Sequence, residues 1–356
     1  MALPFDHPLK PMLAKGAAKL PPAGRFLYDP KWDGFRCLVF RDGDELFLQS
    51  RDSKPFVRYF PELLDPLRAS LPERCVVDGE LLIERDGRLD FDGLQQRIHP
   101  ATSRVTMLSQ TTPASFVAFD LLALDDQDLR VDAVGQRREL LEQVLADARP
   151  PVFLTPATLD RDVAQDWFER FEGAGLDGVM AKPLDGVYES NKRGWIKIKH
   201  QRTLDAVVCG FRWHKHGPGT EVGSLLLGLW ADDGRLRQIG VASSFSGKRR
   251  LELAAELEPF REHALDDHPW AAWAKHSPSE HEPGATSRWN AKKDLSWEPV
   301  RLELVAEVTC NQLSGGRLRH PAKLLRFRHD KPPAVCGYDQ LDVVAPMELC
   351  TIFAGG

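Results

Sequence analysis

A lysine framed by carboxylates, a glycine and an arginine stands near the start of the chain, in Tyr28-Asp29-Pro30-Lys31-Trp32-Asp33-Gly34-Phe35-Arg36. Apolar runs flank it, Phe26-Leu27 before and Cys37-Leu38-Val39-Phe40 after. A lysine at the edge of an apolar strand sheds part of its hydration. Burial and neighbouring cations both favour the neutral amine, a usable nucleophile near neutral pH. Asp33 offers a carboxylate to orient that amine, and Gly34 leaves the backbone open to a phosphate or sugar. Alone, Lys-x-Asp-Gly reads more often as a turn with an exposed lysine, so the motif needs partners.

Such partners recur at the ends of later apolar runs. Ser50-Arg51 closes one, and Asp78-Gly79-Glu80 follows Cys75-Val76-Val77. Asp120 interrupts the run Ser115 to Leu122, where a polar group needs partners. Asp177 to Lys182 enters another strand. Lys197 and Lys199 alternate with Ile196 and Ile198, so both lysines face one side of a strand and repel unless an anion lies between them. Two windows are basic, residues 182–202 and 307–331, each with six cations against two anions. A concentrated basic surface binds polyanions even on a chain of net charge −5.

The elements that must hold these groups follow from pattern and length. A chain of 356 residues, 42% hydrophobic and 28% charged, suggests two globular domains. No run approaches the ~18 apolar residues of a membrane helix, and Met1 to Pro8 resembles no signal peptide. Six scattered cysteines read as reduced thiols of a cytoplasmic protein. Short strands are expected at Phe26–Tyr28, Arg36–Phe40 and Leu46–Gln49, with a hairpin at Arg41-Asp42-Gly43-Asp44. Helices are expected near 61–70, 92–99, 134–147, 161–174 and 247–263, the fourth burying Val163, Trp167, Phe168 and Phe171 and the last counting Leu251 among its apolar positions. A change to short strands near residue 203 places the boundary between domains 1–202 and 203–356, the second suiting a small barrel. Residues 264–295 read as a long loop, with Trp270, Trp273 and Trp289 packing on the barrel in preference to touching a bound polyanion. A zinc site is a poor fit: His214-Lys215-His216 beside Cys209 is the one cluster, and an exposed loop explains it better.

In order and spacing, Lys31–Arg36, Ser50-Arg51, Asp78–Glu80, Phe116–Asp120, Asp177–Lys182, Trp195–Lys199 and Arg326–Lys331 resemble the nucleotidyltransferase motifs of ATP-dependent DNA ligases. The match is nearest to the compact bacterial enzymes, either the stand-alone C type or the ligase module of the end-joining ligase. With no length for an added polymerase or nuclease, the stand-alone type is favoured. The resemblance implies an α+β nucleotidyltransferase (adenylation) domain followed by an OB-fold β-barrel. It implies sealing of nicked duplex DNA with ATP and Mg²⁺, Mn²⁺ being an alternative, by a monomer without membrane association, in DNA repair.

By that resemblance Lys31 is the nucleophile and Asp29 reads the adenine edge. Arg36, Arg51 and Glu80 hold ribose and nick phosphate. Phe119 and Met180 sandwich the base, Lys182, Lys197 and Lys199 clamp the α-phosphate, and Glu80 and Asp177 serve the metal. Asp330 and Lys331, on the second domain, orient the leaving pyrophosphate once that domain closes. Many relatives carry Glu at the positions of Asp29 and Asp177; the shorter side chain leaves room for a water. His329 has no expected role, and the N-terminal DNA-binding domain of large eukaryotic ligases is not expected. Two rivals share part of the pattern. An RNA ligase or capping guanylyltransferase uses the same lysine chemistry, and a non-catalytic DNA- or nucleotide-binding module would bind without covalent adenylation.

Overall fold

Residues 35–42 alternate apolar side chains without a polar face, and both faces are covered: Cys37 and Val39 enter one core, Leu38 and Phe40 another. A strand buried on both sides belongs in the middle of a sheet. In the computed structural model it does, pairing antiparallel with Glu45–Ser50 and with Arg74–Leu82. The structure describes residues 3–200, 202–271, 296–310, 313–314, 316–341 and 347–354. Two compact units emerge, Met1–His200 with Val344–Gly356, and Gln201–Val343.

The first unit holds two principal sheets among the described residues. One runs Val152–Leu154, Ser115–Leu124, Arg74–Leu82, Phe35–Asp42, Glu45–Ser50. The other runs Leu13–Ala17, Arg193–Lys199, Gly178–Pro183, Phe26–Lys31. Trp32-Asp33-Gly34 carries the chain from the second sheet into the first, so Lys31 ends one strand at the point where the sheets diverge. Gly34 is required there by packing: a Cβ would lie 2.2 Å from the Leu81 carbonyl oxygen. The expected open approach for a phosphate is therefore not the main reason for glycine, since strand contact fills that side.

Helices form close to their expected places, at Leu64–Ser70, Phe91–Gln96, Val134–Val144, Arg161–Arg170 and Gly247–Leu257. Asp160 caps the fourth, accepting from the Asp162 and Val163 amides. Val163 is exposed, so the buried face is narrower than its spacing suggested. Leu251 is likewise exposed, while Leu253 and Leu257 enter the core. The helix Thr102–Thr111 had no counterpart in the pattern reading; only Val105 and Leu108 are buried along it, too few for a clear apolar stripe.

In the second unit the strand order is Leu236–Ala242, Val222–Trp230, Arg202–Trp213, Val305–Cys310, Lys323–Phe327. The ends meet: the Ala322 amide donates to Val241 and the Ser243 amide donates to Ala322. The sheet is thus closed as a barrel, as its composition suggested. Trp270 is fully buried in the barrel core and its Nε1 donates to the Leu236 carbonyl at 2.7 Å. It packs on the barrel; Trp273 and Trp289 lie outside the described residues.

The end of the chain departs from the expected boundary. Leu349 and Ile352 are buried with Trp32 and Tyr28 in the first unit, and Phe353 stacks on Phe153 at 4.2 Å. The apolar tail has a hydrophobic surface to cover there, which is why 203–356 is not one unit.

Candidate active site

Strand register assembles the site. Lys31 pairs with Gly178, and Gly178 with Lys199. Asp29 pairs with Met180, and Met180 with Lys197. Residues two apart share a face, so Lys31, Asp29, Met180, Lys182, Lys197 and Lys199 lie on one side of the sheet, in rows roughly 7 Å apart. Gly178 permits the closeness: its φ is +138°, and a Cβ would sit 2.0 Å from the Ile198 carbonyl.

The facing wall comes from the other sheet. Arg36 and Glu80 are cross-strand partners. A bulge between Asp78 and Gly79 leaves Phe119 as the extra residue between Ala118 and Asp120, and such bulges re-aim side chains. The two walls enclose a cavity of about 400 Å³ lined by Asp29, Lys31, Arg36, Arg51, Glu80, Phe119, Met180, Lys182, Lys197 and Lys199.

The amine of Lys31 lies 2.6 Å from Asp177 Oδ2, and Lys199 lies 2.5 Å from the same oxygen. Asp177 is thus the anion beside the paired strand lysines, and the carboxylate on the Lys31 amine. Burial pushes its carboxyl up, but Lys31 and Lys199 outweigh burial and hold it below the ordinary range. Lys197 is pushed down by burial and by the charges of Lys199, Lys31 and Arg51.

At the other end Lys182 is almost fully buried, 2.6 Å from Asp29 Oδ2 and 3.0 Å from the Phe119 carbonyl. This separates Lys182 from the expected lysine trio: its ammonium is spent on Asp29, not grouped with Lys197 and Lys199. Burial raises the Asp29 carboxyl despite Lys182. The second oxygen, Oδ1, is buried without a hydrogen-bond partner. An orphaned acceptor beside an aromatic ring suits an N–H donor of a base.

Arg36 is held from below. Asp78 accepts from its Nε at 2.9 Å and from Nη2 at 2.5 Å, and the Met12 carbonyl accepts from Nη1 at 2.6 Å. Tyr188 donates to Asp78 at 2.7 Å. The guanidinium lies 5.3 Å from the Phe119 ring centre and 5.0 Å from that of Trp195. Asp78 and Tyr188 had been given no role. The signal for Asp78 was present, because period two places it on the same face as Glu80.

Glu80 is half-buried and its carboxyl is pushed up to about 7, by burial against the pull of Lys31 and Arg36. Asp120, suspect inside an apolar strand, is satisfied by Arg137, which donates at 2.8 and 2.9 Å. Trp32 stacks on Phe353 at 5.2 Å, and its Nε1 donates to Thr155 at 2.8 Å. Phe353 had no signal in the sequence pattern.

Asp330 and Lys331 lie on the second unit. Asp330 accepts from Arg328, and Lys331 lies 2.9 Å from Asp205 Oδ2. Among the described residues no helix is long and apolar enough to cross a membrane.

Residues 11–199 match the family model of the ATP dependent DNA ligase domain, and residues 218–331 that of the ATP dependent DNA ligase C terminal region. DNA ligase C of Mycobacterium tuberculosis is 49% identical, covering 100% of this chain and 99% of its own. DNA ligase C2 of Mycolicibacterium smegmatis is 50% identical over 96% of each. The multifunctional non-homologous end joining protein LigD of Pseudomonas aeruginosa is 29% identical, with 36% of its length covered. A solved Lig E DNA ligase shares the fold, with a TM-score of 0.55, 18% identity, and coverage of 89% of this chain and 98% of the other. With both family models matched and relatives near half identity along its whole length, this chain belongs to the ATP-dependent DNA ligases, of the compact bacterial type with an OB-fold second domain.

Proposed function

We propose that the chain seals nicks in duplex DNA through an AMP carried on Lys31. The observation that carries this reading is the cavity itself: a part-exposed lysine at one end, an orphaned carboxylate oxygen at the other, an aromatic wall between. Asp29 Oδ1 accepts from the adenine amine, Phe119 and Met180 cover the two faces of the base, and Lys182 fixes the carboxylate. Arg36 and Arg51 contact ribose and phosphate. Asp177 orients the Lys31 amine, whose proton passes to solvent before attack, while Lys197 and Lys199 draw the α-phosphate oxygens toward it. Lys31 attacks the α-phosphorus, the bond to pyrophosphate breaks, and Asp330 and Lys331 orient the leaving group. The adenylate then passes to the 5′-phosphate of the nick, and the 3′-hydroxyl expels AMP. Positioning and cationic stabilisation suffice for each step.

The residues fit a hard divalent cation. Glu80 is an oxygen donor on the cavity wall, cross-strand from Arg36, and burial pushes its carboxyl up to about 7. Glu80 would hold Mg²⁺, with Asp177 reaching it directly or through water; Mn²⁺ takes the same donors. When bound, the ion neutralises phosphate charge. Outside the nucleotide cavity, the cations of the basic windows at 182–202 and 307–331 supply backbone contacts that read duplex shape. A role in DNA repair, action as a monomer and a cytoplasmic location belong to the same reading.

Intact-protein mass spectrometry tests it. After a pyrophosphate strip, ATP and Mg²⁺ add one AMP, GTP and NAD⁺ add nothing, and Lys31→Ala takes none. A nick-sealing gel then separates DNA from RNA substrates, and Lys331→Ala loses self-adenylation while sealing a pre-adenylated nick. An adduct surviving in Lys31→Ala overturns the assignment.

A further inference from the structure

On the second unit, the hairpin between Arg202–Trp213 and Val222–Trp230 brings three metal-ligating side chains together. Trp213 pairs with Val222. The next residues outward, His214 and Glu221, face each other, with the His214 amide donating to the Glu221 carbonyl at 2.7 Å. His216, two residues on, joins them.

The same three atoms form all sides of a triangle. His214 Nδ1 is 3.4 Å from His216 Nδ1 and 3.5 Å from Glu221 Oε2, and His216 Nδ1 is 3.6 Å from that oxygen. Bonds of about 2.0–2.2 Å from a tetrahedral ion to nitrogen and oxygen donors set donor–donor edges of roughly 3.3–3.6 Å. The triangle is one face of that tetrahedron. We propose that His214, His216 and Glu221 bind a borderline transition-metal ion, Zn²⁺ or a congener, with the fourth position open to solvent or an external donor.

The backbone supports the assignment. The strand ends hold His214 and Glu221 in place, so little ordering is required on binding. Cys209, the neighbour with which the sequence made a zinc site a poor fit, is fully buried in the barrel core and does not join them; Glu221 is the third donor.

The test uses the full-length protein, stripped with chelator and titrated with Co²⁺ in excess Mg²⁺, which fills oxygen sites and leaves imidazole sites open. One equivalent produces the strong visible absorption of tetrahedral Co²⁺, without thiolate charge-transfer bands, and Zn²⁺ removes it. His216→Ala and Glu221→Gln each weaken binding by on the order of 10–100-fold or more, a loss that removal of even outer partners of metal ligands brings. Both variants still seal nicks, which shows that they fold. No tetrahedral band, or a band undiminished in both variants, overturns the proposal.

Discussion

The cavity holds two aspartates that meet their lysines in opposite ways. At the depth, Lys182 and Asp29 are 2% and 3% exposed and bind each other. At the mouth, Lys31 and Lys199 are 20% and 30% exposed and share one oxygen of Asp177. A buried pair has no water to fall back on, so it fixes geometry. A part-exposed pair of cations sharing one anion can be parted by another anion. The first arrangement suits recognition of a base; the second suits a lysine that must be free to react.

The sharpest way to break this comparison is to remove each aspartate. Asp29→Ala strands a buried ammonium and costs about 3–5 kcal/mol of stability. Asp177→Ala leaves two cations that reach water and costs about 1 kcal/mol, while adenylation falls steeply. Urea unfolding beside the mass assay reads both, and equal stability losses would erase the distinction.

Glu80 sharpens it next, as a third carboxylate with no lysine of its own. Its folded value of about 7 exceeds the ordinary 4.5, so the folded state holds the proton more tightly. The contribution is fully present below pH 4.5 and lost as pH rises through 7. Without divalent ions, stability should fall across that window by about 1–3 kcal/mol. Mg²⁺ should restore it and Glu80→Gln should flatten the profile. A flat wild-type profile from pH 4.5 to 7 would remove Glu80 as an uncompensated carboxylate.

The smallest effect on adenylation is expected at Phe353, which supports the loop after Lys31 through Trp32. Phe353→Ala should cost about 1–2 kcal/mol and slow adenylation several-fold, without changing the apparent affinity for ATP. An unchanged adenylation rate would show that the stack serves the core alone.

Much of the site was readable because it lies on strands. Period two puts Lys197 with Lys199 and Asp29 with Lys31, and the order of motifs carried the rest. Lys182 was misgrouped because its partner is 153 residues away, and local pattern does not encode which of several anions a buried lysine will meet. Glu221 was overlooked for a related reason: hairpin register, not spacing along the chain, brings it to His214. Composition changes near residue 203, and the two compact units part between His200 and Gln201. The return of the tail was invisible, because a short apolar segment announces burial without saying against what.

That return has a consequence for how the chain can be divided. A cut after His200 separates residues 1–200 from 201–356, yet the second fragment carries Leu349, Ile352 and Phe353, which complete the core around Trp32. The two pieces hold complementary parts of one hydrophobic cluster. Fragments made at this point would reassociate through the tail, and the chain carries within itself the adhesive for a split enzyme.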